Sequence, residues 1–268
     1  ALRKLILRNV KILLYGGFNM NLLTINPISS CNLSCEHCPN KEWTYPINHD
    51  INRVNNEIIF KWLDEYFNPY EWFLEISGGE PGLYPEIFEL IEKLNSKGYH
   101  GIIRTNGTLP TPKFDNFKRV TAWHKPTSLA RPPKYYDVML ITKNPNDCWE
   151  AKAKYCIENN IPYKCVPYIR FGDPSFVEEP PQGEIKENTF FKSWTTFGSY
   201  GNIGYCYANW GEHTDNIFNM SPPLIWDMSQ CPCCKGILGT LEFLDNDTIN
   251  MLTERENNYL SKKSKSAD

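Results

Sequence analysis

With 268 residues, 41 % of them hydrophobic and 14 % aromatic, the chain holds enough apolar material for a full core, which excludes an intrinsically disordered protein. Its formal charge of −3 gives no electrostatic reason to expect a surface for duplex nucleic acid. No apolar run approaches the length of a membrane span, and the ten cysteines fall partly in close clusters suited to metals, so a reducing cytoplasm is expected rather than a secreted disulfide framework.

The first predicted element is an amphipathic helix within residues 1–20. Leu2, Ile6, Val10, Leu13 and Leu14 share one face and Lys4, Arg8 and Lys11 the other, and these charges interrupt the apolar run that a signal peptide needs. A strand at about 21–29 follows. It delivers Cys31-Asn32-Leu33-Ser34-Cys35-Glu36-His37-Cys38 at its carboxyl end, where α/β folds place their chemistry. Three thiolates spaced C-x3-C-x2-C on one short loop converge on a metal or an iron–sulfur cluster with little chain entropy to overcome. A structural tetrahedral site closes with four protein ligands, so a set of three leaves one position for a substrate or cofactor.

Residues 39–54 carry prolines and no periodicity, and read as an irregular excursion. A helix is expected from about Asn55, with Ile58, Ile59, Trp62, Leu63, Tyr66 and Phe67 on one broad apolar face. A buried strand at 72–77 runs into the turn Gly78-Gly79-Glu80-Pro81, and a helix through Ile87, Leu90, Ile91 and Leu94 is stopped by Gly98. Strands at 101–105, 120–123 and 136–141 come next. The first ends in the turn dipeptide Asn106-Gly107, and Pro132-Pro133 argues against a long helix between the other two. A helix at 147–159 leads to a sixth strand at 163–169, with Cys148, Cys156 and Cys165 read as small core residues. Strands alternating with helices predict a parallel sheet, curled or flat; periodicity does not choose.

Near residue 172 the pattern breaks into a proline-rich extension, 172–260, with an aromatic segment at 190–210 expected to fold over the thinly covered side of the sheet as a lid or partner surface. Residues 261–268, rich in Lys and Ser, read as a flexible tail. The extension holds a second cysteine group, Cys206, Cys231, Cys233 and Cys234, which is a candidate site for an auxiliary iron–sulfur cluster or zinc.

The cysteine triplet after a first strand, with a histidine ring just before its last member, and Gly78-Gly79-Glu80-Pro81 after a second strand together resemble the radical S-adenosylmethionine (radical SAM) superfamily over about residues 21–170. The resemblance implies that Cys31, Cys35 and Cys38 hold three irons of a [4Fe-4S] cluster while SAM chelates the fourth. His37 would lie beside the adenine, and residues 78–81 against the methionine moiety, with glycines admitting the cofactor and Glu80 either structural or on its ammonium group. Thr105 and Asn106 would lie near the ribose or sulfonium. His124, Lys125 and Tyr168, with Trp123 and Arg170 at the same strand ends, are candidates to touch SAM or substrate.

An open barrel whose strand ends face one cavity suits such chemistry. The expected fold is therefore α/β: a partial, open (βα)6-type parallel barrel with reduced helices around strand 4, plus a small irregular C-terminal extension. The expected function is reductive cleavage of SAM to a 5′-deoxyadenosyl radical that abstracts hydrogen from a small-molecule, nucleotide or peptide substrate, with a flavodoxin or ferredoxin as electron donor. The rival readings are an iron–sulfur electron carrier without SAM chemistry and a zinc-binding interaction module.

Overall fold

Strand-forming runs and helical faces recur along the chain at the predicted places. The computed structural model describes residues 20–35, 54–123, 129, 131–143, 147–167, 191–198, 201–204, 215–227 and 246–265. Six parallel strands form the body: β1 (Met20–Ile25), β2 (Trp72–Ile76), β3 (His100–Thr105), β4 (Phe117–Ala122), β5 (Val138–Lys143) and β6 (Tyr163–Pro167). Helices α1 (Asn56–Tyr66), α2 (Ile87–Ser96) and α3 (Trp149–Glu158) follow β1, β2 and β5. Neither connection flanking β4 holds a helix among the described residues, as the prolines and turn residues there predict.

The helix ends follow local chemistry. The side chain of Asn55 caps α1 by accepting from the Ile58 amide at 3.0 Å. Gly98, in the left-handed region at φ +82°, closes α2. Alternation along the strands then sorts the sheet into two faces. Leu23, Ile25, Trp72, Leu74, Ile76 and Ile103 pack with Ile59, Trp62, Leu63, Leu90 and Leu94 in one large core on the helix side. The same parity puts Thr24 and Glu75, paired in register, on the opposite face, where Arg104 forms an ion pair with the buried Glu75. A second core on the helix side joins Trp123, Met139, Ile141 and Cys156.

The C-terminal extension is more regular than expected. β7 (Phe191–Phe197) lies parallel to β1, with Leu23 opposite Thr195 and Ile25 opposite Phe197, so the sheet continues across the boundary expected near residue 172. β8 (Ile203–Gly204) and β9 (Trp226–Asp227) pair antiparallel with β7, giving the order β6-β5-β4-β3-β2-β1-β7-β8. The described part of the aromatic segment is thus a sheet strand and not a lid: its β-branched and aromatic residues find partners on the open edge of β1. Trp62 Nε1 and Tyr66 Oη donate to the carbonyls of Ser221 and Met220, each at 2.7 Å, tying the extension to α1 as well.

Helix α4 (Asn246–Lys265) corrects a second expectation, since residues 261–265 continue it rather than forming a flexible tail. The reason lies in its contacts. Tyr259 stacks on Tyr70 with ring centroids 5.3 Å apart and accepts from Asn68 Nδ2 at 3.0 Å, while Lys263 reaches Glu71 at 3.3 Å. Arg255 lies over the Tyr70 ring and donates to the Gly98 carbonyl. This anchors α4 where β2 and β3 begin, at the opposite end of the sheet from the cysteine loop.

His100 is buried beside that anchor, and burial, aided by the Arg255 charge, lowers its pKa from 6.5 to about 4. Between those values the unfolded chain binds a proton that the folded chain refuses, so acidification from pH 6.5 to 4 removes stability. At 1.36 kcal/mol per unit the loss reaches about 3 kcal/mol. Denaturant unfolding at pH 7 and pH 4.5 is expected to show this loss in the parent chain and a markedly smaller one in His100→Leu.

Candidate functional site

The β1–β2 pairing continues past both strand ends. The amides of Ser77, Gly79 and Glu80 donate to the carbonyls of Ile25, Ile28 and Ser30 at 2.9, 2.8 and 2.8 Å, so the 78–80 turn runs backbone against backbone along the segment that enters Cys31. Two glycines are required for this. A Cβ on Gly79 would stand 2.0 Å from the Ser30 carbonyl oxygen, and one on Gly78, itself at φ +116°, would stand 2.3 Å from that of Ile28. Both glycines thus lie close against the backbone that enters the cysteine loop.

Glu80 is fully buried, and its carboxylate is committed to the chain. Oε1 accepts from Thr105 Oγ1 at 2.6 Å and from the Gly82 amide at 3.0 Å; Oε2 accepts from the Asn106 amide at 2.7 Å. Burial raises its pKa above 4.5 although all three donors pull the other way. Of the two roles expected for Glu80, its contacts are those of the structural one: it latches the turn after β2 to the end of β3. Thr105 completes the latch by accepting from the Gly107 amide at 3.0 Å.

From that latch Asn106 reaches the cysteine loop. Its Nδ2 donates to Asn32 Oδ1 at 2.8 Å and lies 3.8 Å from Cys31 Sγ, and its Oδ1 accepts from the Thr108 amide at 3.0 Å and hydroxyl at 2.5 Å. Asn32 Nδ2 donates in turn to Thr108 Oγ1 at 2.9 Å. Asn106, expected beside the ribose or sulfonium of SAM, is thus engaged with the loop. Asn32 and Thr108 were not among the sequence candidates; their only local signals are an asparagine next to the first cysteine and a threonine closing an Asn-Gly turn.

Cys31 is partly exposed and Cys35 buried, and no disulfide joins either to another described cysteine. Cys31 Sγ also accepts from the Leu33 amide at 3.4 Å. A sulfur receiving N–H donors on a loop braced from two strands fits the iron–sulfur ligand expected there, because such donors stabilise a cluster thiolate. His37, Cys38, His124, Lys125, Tyr168, Arg170 and the second group of Cys206, Cys231, Cys233 and Cys234 lie outside the described residues.

Trp123 belongs to the helix side and not to the site. Its ring meets Tyr155 edge-on at 5.4 Å, and its carbonyl accepts from the buried Lys152, which is paired with Asp147 at 2.7 Å. Of the other cysteines, Cys156 is a core residue, burial pushing its thiol up to about 11, and Cys165 is partly buried with its pKa also raised by burial. Cys148 is exposed. It stands before the first turn of α3 instead of on the helix's inward face, which corrects the reading of all three as core.

Residues 25–172 match the Radical SAM superfamily, and the chain belongs to it. A [4Fe-4S] cluster and SAM are the cofactors of this family. Among curated relatives, the AdoMet-dependent heme synthase of Nitratidesulfovibrio vulgaris is 30 % identical over 98 residues, 37 % of this chain and 26 % of that protein. The serine-type anaerobic sulfatase-maturating enzyme of Bacteroides thetaiotaomicron is 28 % identical over 144 residues, 48 % of this chain and 34 % of that protein. The matched stretches span about a third or less of these relatives. Among solved structures, Streptococcus suis SuiB superposes with a TM-score of 0.50 at 14 % identity, covering 78 % of this chain and 66 % of that one, a likeness of fold. No helix of the described residues is long and apolar enough to cross a membrane.

Proposed function

We propose that this chain cleaves SAM reductively and directs the resulting radical at a peptide substrate. The observation that carries the reading is the cysteine loop of a radical SAM family chain, braced by the 78–80 turn at the carboxyl ends of β1 and β2. When bound, the cluster supplies one electron to SAM, which splits into methionine and a 5′-deoxyadenosyl radical that takes hydrogen from an unreactive C–H bond. Cys31, Cys35 and Cys38 would hold the cluster, with the glycine turn and the Glu80 latch bracing the segment that enters Cys31. His37 would lie beside the adenine, as the family resemblance implies.

Two likenesses favour a peptide over a small molecule or nucleotide: SuiB has been seen bound to its precursor peptide SuiA, and a curated relative matures sulfatases. Anaerobic reconstitution with iron, sulfide and dithionite is the test. The parent chain is expected to gain iron and to form 5′-deoxyadenosine from SAM, and Cys31→Ala, Cys35→Ala and Cys38→Ala each to fall to background in both. A colourless parent chain that takes up zinc alone and leaves SAM intact would refute the proposal. For the substrate class, deuterium carried from a labelled peptide into 5′-deoxyadenosine would support it, and transfer only from a labelled nucleotide or metabolite would overturn it.

A further inference from the structure

We propose that Asn106, oriented by Thr108 and Asn32, is a positioning residue that raises the reduction potential of the cluster held by Cys31. The inference rests on the cluster reading above and adds a reason for the hydrogen-bonded ring beside the loop.

An asparagine amide presents a donor or an acceptor depending on how it is turned, and here its surroundings decide. Oδ1 receives both the amide and the hydroxyl of Thr108, so Nδ2 faces the other way, toward Asn32 Oδ1 and Cys31 Sγ. The ring then closes on itself. Asn106 donates to Asn32, Asn32 to Thr108, and Thr108 to Asn106, at 2.8, 2.9 and 2.5 Å. Each member both donates and accepts, so the three bonds polarise one another, and turning any one amide over would set donor against donor. Asn106 is also buried, where a fixed dipole counts for more than it does in water.

An electron entering the cluster adds negative charge that spreads onto its sulfurs. An N–H aimed at a ligand sulfur favours that reduced form, and hydrogen bonds to sulfur are among the factors that set cluster potentials. Donors from two different elements among the described residues reach Cys31. The Leu33 amide, at 3.4 Å, comes from the cysteine loop itself, whereas Asn106, at 3.8 Å, comes from the end of β3, where Glu80 and Thr108 hold it. At that longer distance the expected contribution is modest, about tenfold in the ratio of reduced to oxidised cluster at a set potential, which for one electron is about 59 mV.

The test is a dithionite titration of the reconstituted full chain under anaerobic conditions. The reduced cluster is followed by electron paramagnetic resonance, and iron and sulfide are assayed in parallel. Asn106→Ala and Thr108→Val are both expected to move the midpoint to more negative values by about that tenfold ratio, and Thr108→Ser, which keeps the hydroxyl, to restore the parent value. Thr108→Val removes one hydroxyl at a partly exposed position, so it keeps the question open to measurement even if Asn106→Ala does not fold. Variants with a full cluster and the parent midpoint would overturn the inference. So would variants that lose iron while the cluster they retain titrates as in the parent, because Asn106 would then serve only the shape of the loop. A parent chain that assembles no cluster would instead refute the proposed function, and this inference with it.

Discussion

Gly79→Ala is expected to reduce cluster loading and 5′-deoxyadenosine formation about a hundredfold, since displacing a reacting group by roughly 1 Å can cost that much. The added methyl would sit 2.0 Å from the Ser30 carbonyl oxygen, 2.4 Å from its carbonyl carbon and 2.5 Å from the Ser29 carbonyl oxygen. All three neighbours are backbone, so no side chain can swing away. Relief comes only if the segment entering Cys31 moves off the turn, which breaks the 2.8 Å bonds from the Gly79 and Glu80 amides. The sheet beneath is held by its own ladder and by the large core on the helix side, so the fold is expected to survive while the loop shifts. Iron content after reconstitution, read beside far-UV circular dichroism, separates the two effects. A variant with parent-level iron and rate would mean that the cysteine loop tolerates displacement.

The motif residues were legible in the sequence because they are local: a cysteine triplet after one strand, a glycine pair after the next. The same holds for β1 to β6 and α1 to α3, each of which carries its period within a short window. What the sequence concealed depends on distance along the chain. β7 reads as an aromatic stretch of no fixed role until β1, some 170 positions earlier, offers it an edge. Helix α4 is polar almost throughout, with Leu252 buried, and its Lys- and Ser-rich end resembles a tail until Tyr70 and Glu71 hold Tyr259 and Lys263. At the site, the Asn32–Thr108 bond joins residues 76 apart. No periodicity encodes such a pairing. The glycines show the other limit: the family resemblance implies that they admit the cofactor, whereas their tight packing on residues 28–30 depends on the register between β1 and β2.

Glu80→Ala should be the more damaging change for stability, by roughly 3 kcal/mol or more, since each buried donor left without a partner costs about 1–3 kcal/mol. The donors are the Thr105 hydroxyl and the amides of Gly82 and Asn106. Glu80→Gln separates the shape of the side chain from its charge. With its oxygen at Oε1 it keeps Thr105 and Gly82 satisfied but turns an NH2 toward the Asn106 amide, so an intermediate loss is expected. The two forms also differ in pH dependence. Because burial raises the folded pKa of Glu80 above 4.5, the folded chain holds this proton more tightly than the unfolded one, and stability from this group is lost as pH rises from 4.5 through the folded value. Glu80→Gln cannot titrate and should lack that slope in denaturant unfolding. The damage should also reach the cluster. Glu80 holds the Asn106 amide, Asn106 holds Asn32, and Asn32 follows Cys31, so iron loading should fall in the order parent, Gln, Ala. Equal loading in all three would show that the latch supports the turn alone and that the loop is held from β1 without it.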